Sequence, residues 1–112
     1  MNAKDITRLQ HMLDYARKTL EFKVGRSRGE LDKDEILTFA LMKGIEIIGE
    51  AAANISQETK EQLPQFDWYD IIGMRNRLVH VYFNIDLDIV WDTVKNDLPE
   101  LIEKLEMLSE LK

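Results

Sequence analysis

The chain of 112 residues contains no cysteine, so neither a disulfide framework nor a thiolate metal site can organise it, and a cytoplasmic location is the default expectation. Long apolar runs are missing too. Ile47-Ile48 and Ile71-Ile72 are brief and bounded by charge, whereas a membrane span needs about 20 mostly apolar residues, so no membrane segment is expected. The opening Met1-Asn2-Ala3-Lys4-Asp5-Ile6 lacks the basic start and apolar run of a secretory signal. Positive charge is also short, with 15 Lys and Arg against 21 Asp and Glu. A net charge of -6 is the wrong sign for a protein that coats nucleic acid nonspecifically. The deficit is uneven, since residues 1-30 hold seven basic and four acidic side chains and residues 31-112 hold eight and seventeen. That asymmetry allows a local basic patch on an acidic body, or simply a solvated helix face with an arginine-containing loop. No internal repeat, low-complexity tract or linker interrupts the chain, and one domain over residues 1-112 is expected.

What is present is helical periodicity. Ile6, Leu9, Leu13, Ala16 and Leu20 recur at steps of three and four, which predicts a helix over residues 4-24 that buries one stripe. Gly25-Arg26-Ser27-Arg28-Gly29 breaks it, and Asp32 followed by Glu35 reads as the cap of a second helix reaching about Ser56. Ile36, Phe39, Ala40, Ile47, Ile48, Ala51, Ala52 and Ile55 give that helix an apolar face too wide for one neighbour, which marks it as central. Its Gly44, Gly49 and Ala51 to Ala53 permit close helix approach. Polar residues around Pro64 separate it from a third helix, capped by Asp67 and carrying Trp68, Ile71, Ile72 and Met74 to Val81. Phe83 to Asp86 reads as a turn, with Asp86 capping a helix that holds Leu87, Val90, Trp91 and Val94. Pro99 sits where a last helix restarts after Asp97, because proline is tolerated in a first turn. The expected fold is all-α, a bundle of four or five helices.

Histidine is scarce, and the two copies differ in context. His11 lies beside Met12 and Leu13 with no second ligand at a metal-site spacing, and reads as an ordinary helix residue. His80 ends the stretch Gly73-Met74-Arg75-Asn76-Arg77-Leu78-Val79-His80, where charged and hydrogen-bonding groups crowd together. Arg75, four intervening residues and His80 form R-x-x-x-x-H, and Tyr82 extends it to R-x-x-x-x-H-x-Y. Such short patterns recur by chance. Here the pattern sits among further blocks: Ile48-Gly49-Glu50-Ala51-Ala52, Trp68 before Ile72-Gly73-Met74-Arg75-Asn76, and Val90-Trp91 leading to Asp97-Leu98-Pro99-Glu100-Leu101.

In this order and over residues 4-108, the chain resembles the HEPN-domain ribonuclease toxins of the HepT-like kind. The resemblance implies a HEPN-type bundle, a homodimer or higher complex with two motif copies lining one cleft, and a metal-independent endoribonuclease that takes RNA and needs no cofactor. It also implies an MntA-like nucleotidyltransferase antitoxin that silences the nuclease by transferring AMP to Tyr82; a Tyr82 packed under the turn is the plain structural alternative. The assigned roles suit the residue types. An imidazole titrates near pH ~6.5 and can move protons at the 2′-hydroxyl or the leaving oxygen, which suits His80. The permanently charged fork of Arg75 suits the phosphorane oxygens.

On a regular helix Arg75 and His80 point about 140° apart, whereas Asn76 and His80 share a face, so that Asn76 can orient His80. Either the helix breaks near Val79 or a partner subunit supplies one of the two groups, and both routes are open. Glu50, an acid among Ala and Ile, is either a further cleft residue or half of a buried salt bridge to Arg75 or Arg77. A second functional class also fits the acidic balance: a noncatalytic subunit that presents a nucleotide or substrate to a nucleotidyltransferase.

Overall fold

Asn2 adopts an extended backbone, and its side-chain oxygen accepts from the Asp5 amide at 2.8 Å, starting α1 (Ala3–Lys23). In this computed structural model residues 1-80 and 84-111 are described, with Val79 and His80 described by their backbone. Helix α1 ends one residue before the expected position, and Gly25 follows at φ +74°, a left-handed turn that favours glycine. A short 3-10 helix, Arg28–Asp32, occupies the arginine-containing loop.

The cap of α2 (Glu35–Ala53) differs from expectation. Asp34 rather than Asp32 accepts from the Leu37 amide, at 3.0 Å, because Asp32 is taken up in the 3-10 helix. Helix α2 closes at Asn54, two residues before Ser56, and Ser56 caps a short α3 (Gln57–Gln62) within the polar stretch expected to separate two helices. Asp67 accepts from the Asp70 amide as expected, opening α4 (Trp68–Leu78). The indole N–H of Trp68 donates to the carbonyls of Lys60 and Leu63, tying the start of α4 to the end of α3.

Helix α4 stops at Leu78, earlier than the expected Val81. Two-residue strands β1 (Val79–His80) and β2 (Asn84–Ile85) pair antiparallel, Val79 opposite Ile85 and His80 opposite Asn84. Asp86 caps α5 (Leu87–Asp92) through the Ile89 amide. The chain does not restart at Asp97. Thr93–Asp97 forms a π turn, with the Leu98 amide donating to the Thr93 carbonyl, and runs directly into α6 (Leu98–Glu106). Pro99 is accommodated because the widened turn relieves the helical spacing that its ring would violate. A 3-10 turn, Ser109–Leu111, ends the described chain.

Helix α2 packs against both α1 and α4, and α6 lies along α1, which makes α2 the central helix. Leu9, Met12, Leu41, Ile45, Val94 and Leu98 are fully buried between them. The small residues act as expected: a Cβ on Gly44 would lie 1.8 Å from Thr19 Oγ1, and one on Gly49 would lie 3.5 Å from the Ile72 carbonyl. Part of the expected α2 core faces out, however. Ile36 is 84% and Phe39 61% exposed, because Leu37, Leu41, Ile45 and Ile48 already fill the inward side.

The N-terminal end is stitched by Asp5, only 1% exposed. Its carboxylate accepts from the Ser56 amide at 3.0 Å, the Ser56 hydroxyl at 2.6 Å and the Thr59 hydroxyl at 2.6 Å. Burial pushes this carboxyl up, but the Ser56 and Thr59 bonds, with Arg8 at 3.8 Å, outweigh it and hold the group below its usual range. The arginine loop is no free basic patch. Arg26 pairs with Glu30 and Asp34, and Arg28 with Asp32 and Asp88, so both arginines are met by acids, three of them from the same loop and Asp88 from α5. Among the described residues, no helix is long and apolar enough to cross a membrane.

Candidate active site at the end of α4

Between two and three helical turns after Asp67, the chain delivers Arg75, Asn76 and Arg77 in succession at the exposed end of α4. Arg75 reaches across to α2 and forms an ion pair with Glu50. Both side chains are about half exposed, 47% and 52%, so the expectation of a buried salt bridge is corrected in burial while its Arg75 partner is the one found. The reason lies in helix phase. Glu50 follows Glu46 by four residues on the outward side of α2, while Ile45, Ile48, Gly49 and Ala52 take the inward side. A half-exposed pair is held weakly, since water screens both charges, and a competing anion can displace Glu50 from Arg75.

Arg77 takes a different direction. Its guanidinium stands 3.8 Å from Asp70 and 3.8 Å from Asp97, linking α4 to the end of the π turn. Asp97 is pushed above its ordinary value by burial, opposed by Arg77 and reinforced by Asp70, Glu100 and Asp92. Asp70, Asp97 and Glu100 line one small hollow of about 80 Å³ together with Ile71 and Met74. Among the described residues, no group of three or more His, Asp or Glu is placed to hold a metal ion.

The helix break resolves one geometric question. Because α4 ends at Leu78, His80 continues in β1 and the 140° divergence expected of a continuous helix does not apply. The same break removes the four-residue helical relation through which Asn76 was expected to orient His80. Asp86 donates its amide to the Leu78 carbonyl at 2.8 Å, which closes the turn just beyond the helix end. The His80 side chain and all of Tyr82 lie outside the described residues, and their expected roles with them.

Two concavities flank Asn76. One, of about 320 Å³, is lined by Met42, Glu46, Arg75, Asn76 and Leu78; the other, of about 390 Å³, by Tyr69, Asp70, Ile72, Gly73, Asn76 and Arg77. Met42 and Glu46 were not singled out from the sequence, nor were Tyr69 and Gly73. Their signal was helical spacing: Met42, Glu46 and Glu50 follow at steps of four on α2, as do Tyr69, Gly73 and Arg77 on α4.

An all-α bundle with an arginine exposed at the end of its fourth helix, followed at once by a break carrying His80, is the class of protein that these features define. The family described as ribonuclease HepT-like matches residues 12-108. The chain belongs to that family. Over 93 residues it is 38% identical to a Caldanaerobacter subterraneus protein named as a candidate RNase, covering 83% of each chain. A Methanocaldococcus jannaschii protein, also named as a candidate RNase, is 31% identical over 109 residues, 96% of this chain and 100% of its own. A Thermococcus cleftensis protein designated a candidate ribonuclease HepT is 41% identical over 75 residues, 67% of this chain and 68% of its own. No solved structure gives a significant match.

Proposed function

We propose that this chain is a metal-independent endoribonuclease toxin of a toxin-antitoxin system, with Arg75 and His80 as its catalytic groups. Family membership, with relatives named for RNase activity, is the observation that carries the reading. The exposed Arg75 supports it, because its partner Glu50 is a replaceable carboxylate that an RNA phosphate can supplant. In this mechanism His80 takes the proton of the 2′-hydroxyl, whose oxygen attacks phosphorus while the P–O5′ bond breaks. The product is a 2′,3′-cyclic phosphate and a 5′-hydroxyl, the departing O5′ receiving a proton. Arg75 neutralises the phosphorane oxygens, and Glu50 holds its guanidinium at the helix end until the phosphate takes that place. Two copies working as a homodimer place two such sets in one cleft. The outward Ile36 and Phe39 on α2 support a subunit contact, being large apolar side chains on the helix that carries Glu50. Tyr82 is the AMP acceptor for an MntA-like nucleotidyltransferase antitoxin, whose added phosphate repels RNA two residues from His80.

Cleavage of RNA by the purified chain in the presence of EDTA tests this. His80→Ala and Arg75→Ala each lower the rate by about 10²- to 10⁴-fold with unchanged helical circular dichroism. A wild-type rate abolished by EDTA, or either variant cutting as fast as wild type, sinks the assignment. The noncatalytic alternative, a subunit presenting nucleotide or substrate to a nucleotidyltransferase, is favoured by the net charge of -6 and by the internally paired Arg26 and Arg28. It predicts no cleavage under any condition.

A further inference from the structure

The outer face of α4 carries an aromatic ring that packing does not explain. Tyr69 is 91% exposed, although a core aromatic neighbour, Trp68, lies immediately beside it. One turn on, Gly73 leaves the helix surface bare: a Cβ built there would meet nothing within 4 Å. Glycine in a helix interior costs about 1 kcal/mol relative to alanine, and neither close packing nor a left-handed backbone accounts for it here. A further turn brings Asn76 and Arg77, so the ring, the bare floor and the polar groups bound one open concavity of about 390 Å³. That volume falls in the range of about 300–1,000 Å³ typical of small-ligand sites.

The chemistry selects the occupant. A free anion is disfavoured, because Asp70 stands in the same concavity and shares Arg77 with Asp97. A flat, uncharged ring with polar edges suits it better: Tyr69 offers a face for stacking, Gly73 allows close approach, and Asn76 and Asp70 offer donors and acceptors to a base edge. Arg77, half exposed and with both carboxylates at 3.8 Å, can turn its free edge to the adjoining phosphate. Asn76 also walls the concavity that contains Arg75, so the two spaces adjoin.

We propose that Tyr69, Gly73, Asn76 and Arg77 form a shelf that stacks one unpaired base of a single-stranded RNA beside the cleavage site. This inference rests on the ribonuclease reading and adds a substrate class to it: RNA whose nucleotide next to the scissile phosphate is free to unstack.

Binding of a fluorescent single-stranded 2′-O-methyl oligoribonucleotide to the full chain, followed by anisotropy, tests it without cleavage, since the attacking hydroxyl is blocked. Tyr69→Ala weakens affinity about tenfold, and Tyr69→Phe, which keeps the ring, restores most of it. Gly73→Leu fills the floor and weakens affinity comparably without lowering the melting temperature, because leucine favours a helix. Arg77→Gln reduces the slope of log affinity against log salt by about 0.7, the value for one single-strand phosphate contact. Sedimentation run on the same variants shows an unchanged assembly state. Wild-type affinity in both Tyr69→Ala and Gly73→Leu overturns the shelf. So does loss of binding accompanied by dissociation of subunits, which assigns this face to a second copy of the chain. A wild-type protein that binds no oligonucleotide brings down the ribonuclease reading together with the shelf, whereas binding that ignores Tyr69 removes the shelf alone.

Discussion

Two regions of the bundle use carboxylates in opposite ways. At the N-terminal end Asp5 is sealed from water and accepts three hydrogen bonds from Ser56 and Thr59, fastening α1 to α3. At the α4 end Glu50 and Arg75 face each other half in solvent, and Asp97 and Asp70 share Arg77 at 3.8 Å. A buried carboxylate whose two oxygens both accept hydrogen bonds is costly to disturb and is closed off from a ligand. An exposed pair contributes little to stability and can exchange partners. The contrast separates groups that hold the fold from groups available for chemistry, without reference to sequence motifs.

Removing the sealed carboxylate is the strongest way to break this contrast. Asp5→Ala strands the Ser56 amide and two hydroxyls, and is expected to destabilise the fold by about 3 kcal/mol in urea titrations, with cleavage per folded molecule unchanged. The pH dependence has a definite sign. Asp5 is held below its ordinary value, so its contribution is complete above that ordinary value and is lost as pH falls through the lowered native one. A flat urea midpoint across that acid range would show that the stitch contributes nothing.

Overpacking between α1 and α2 comes next. Gly44→Ala places a methyl 1.8 Å from the Thr19 hydroxyl and is expected to cost about 2 kcal/mol, part of which Thr19→Ala restores in the double variant. Strict additivity of the two substitutions would mean that this contact is not the cause. The smallest effect is expected at the open end. Asp97 is held above its ordinary value, so its ionisation opposes folding and stability rises as pH falls through the raised value. Asp97→Asn removes that opposition, but the group is 44% exposed and Arg77 loses a partner, so a gain of only about 0.5 kcal/mol is expected in the melting curve. A marked loss would place Asp97 among the sealed, structural carboxylates.

Local signals in the sequence were reliable where the structure uses local interactions. The α1 span, the caps at Asp67 and Asp86 and the small residues at Gly44 and Gly49 depend on neighbours a few positions away or on a helical period. The second cap shifted from Asp32 to Asp34 because a 3-10 helix and Arg26, paired to both Glu30 and Asp34, reorganised that loop. Arg28 likewise finds Asp88 sixty positions later, a pairing no periodicity announces. At the site, Arg75, Asn76 and Glu50 come together around one helix end, as helix geometry allows. From the sequence, a helix end near Val79 is one of two open routes, since strand pairing between Val79–His80 and Asn84–Ile85 competes with helix continuation and depends on both partners.

The π turn has a consequence for how the last helix is aimed. Val90, Val94 and Leu98 are buried at two successive steps of four, after which Leu101, Leu105 and Leu108 follow at three, four and three. Each four-residue step overshoots an α-helical turn by about 40°, so two in a row would carry the buried stripe about 80° around the rod. The wider turn at Thr93–Asp97 absorbs that drift and keeps both halves in phase, one against the 3-10 helix, α2 and α4 and the other against α1. The segment is a phase adjuster: a residue gained or lost there is felt as a rotation of all of α6, turning Leu101 and Leu105 away from α1.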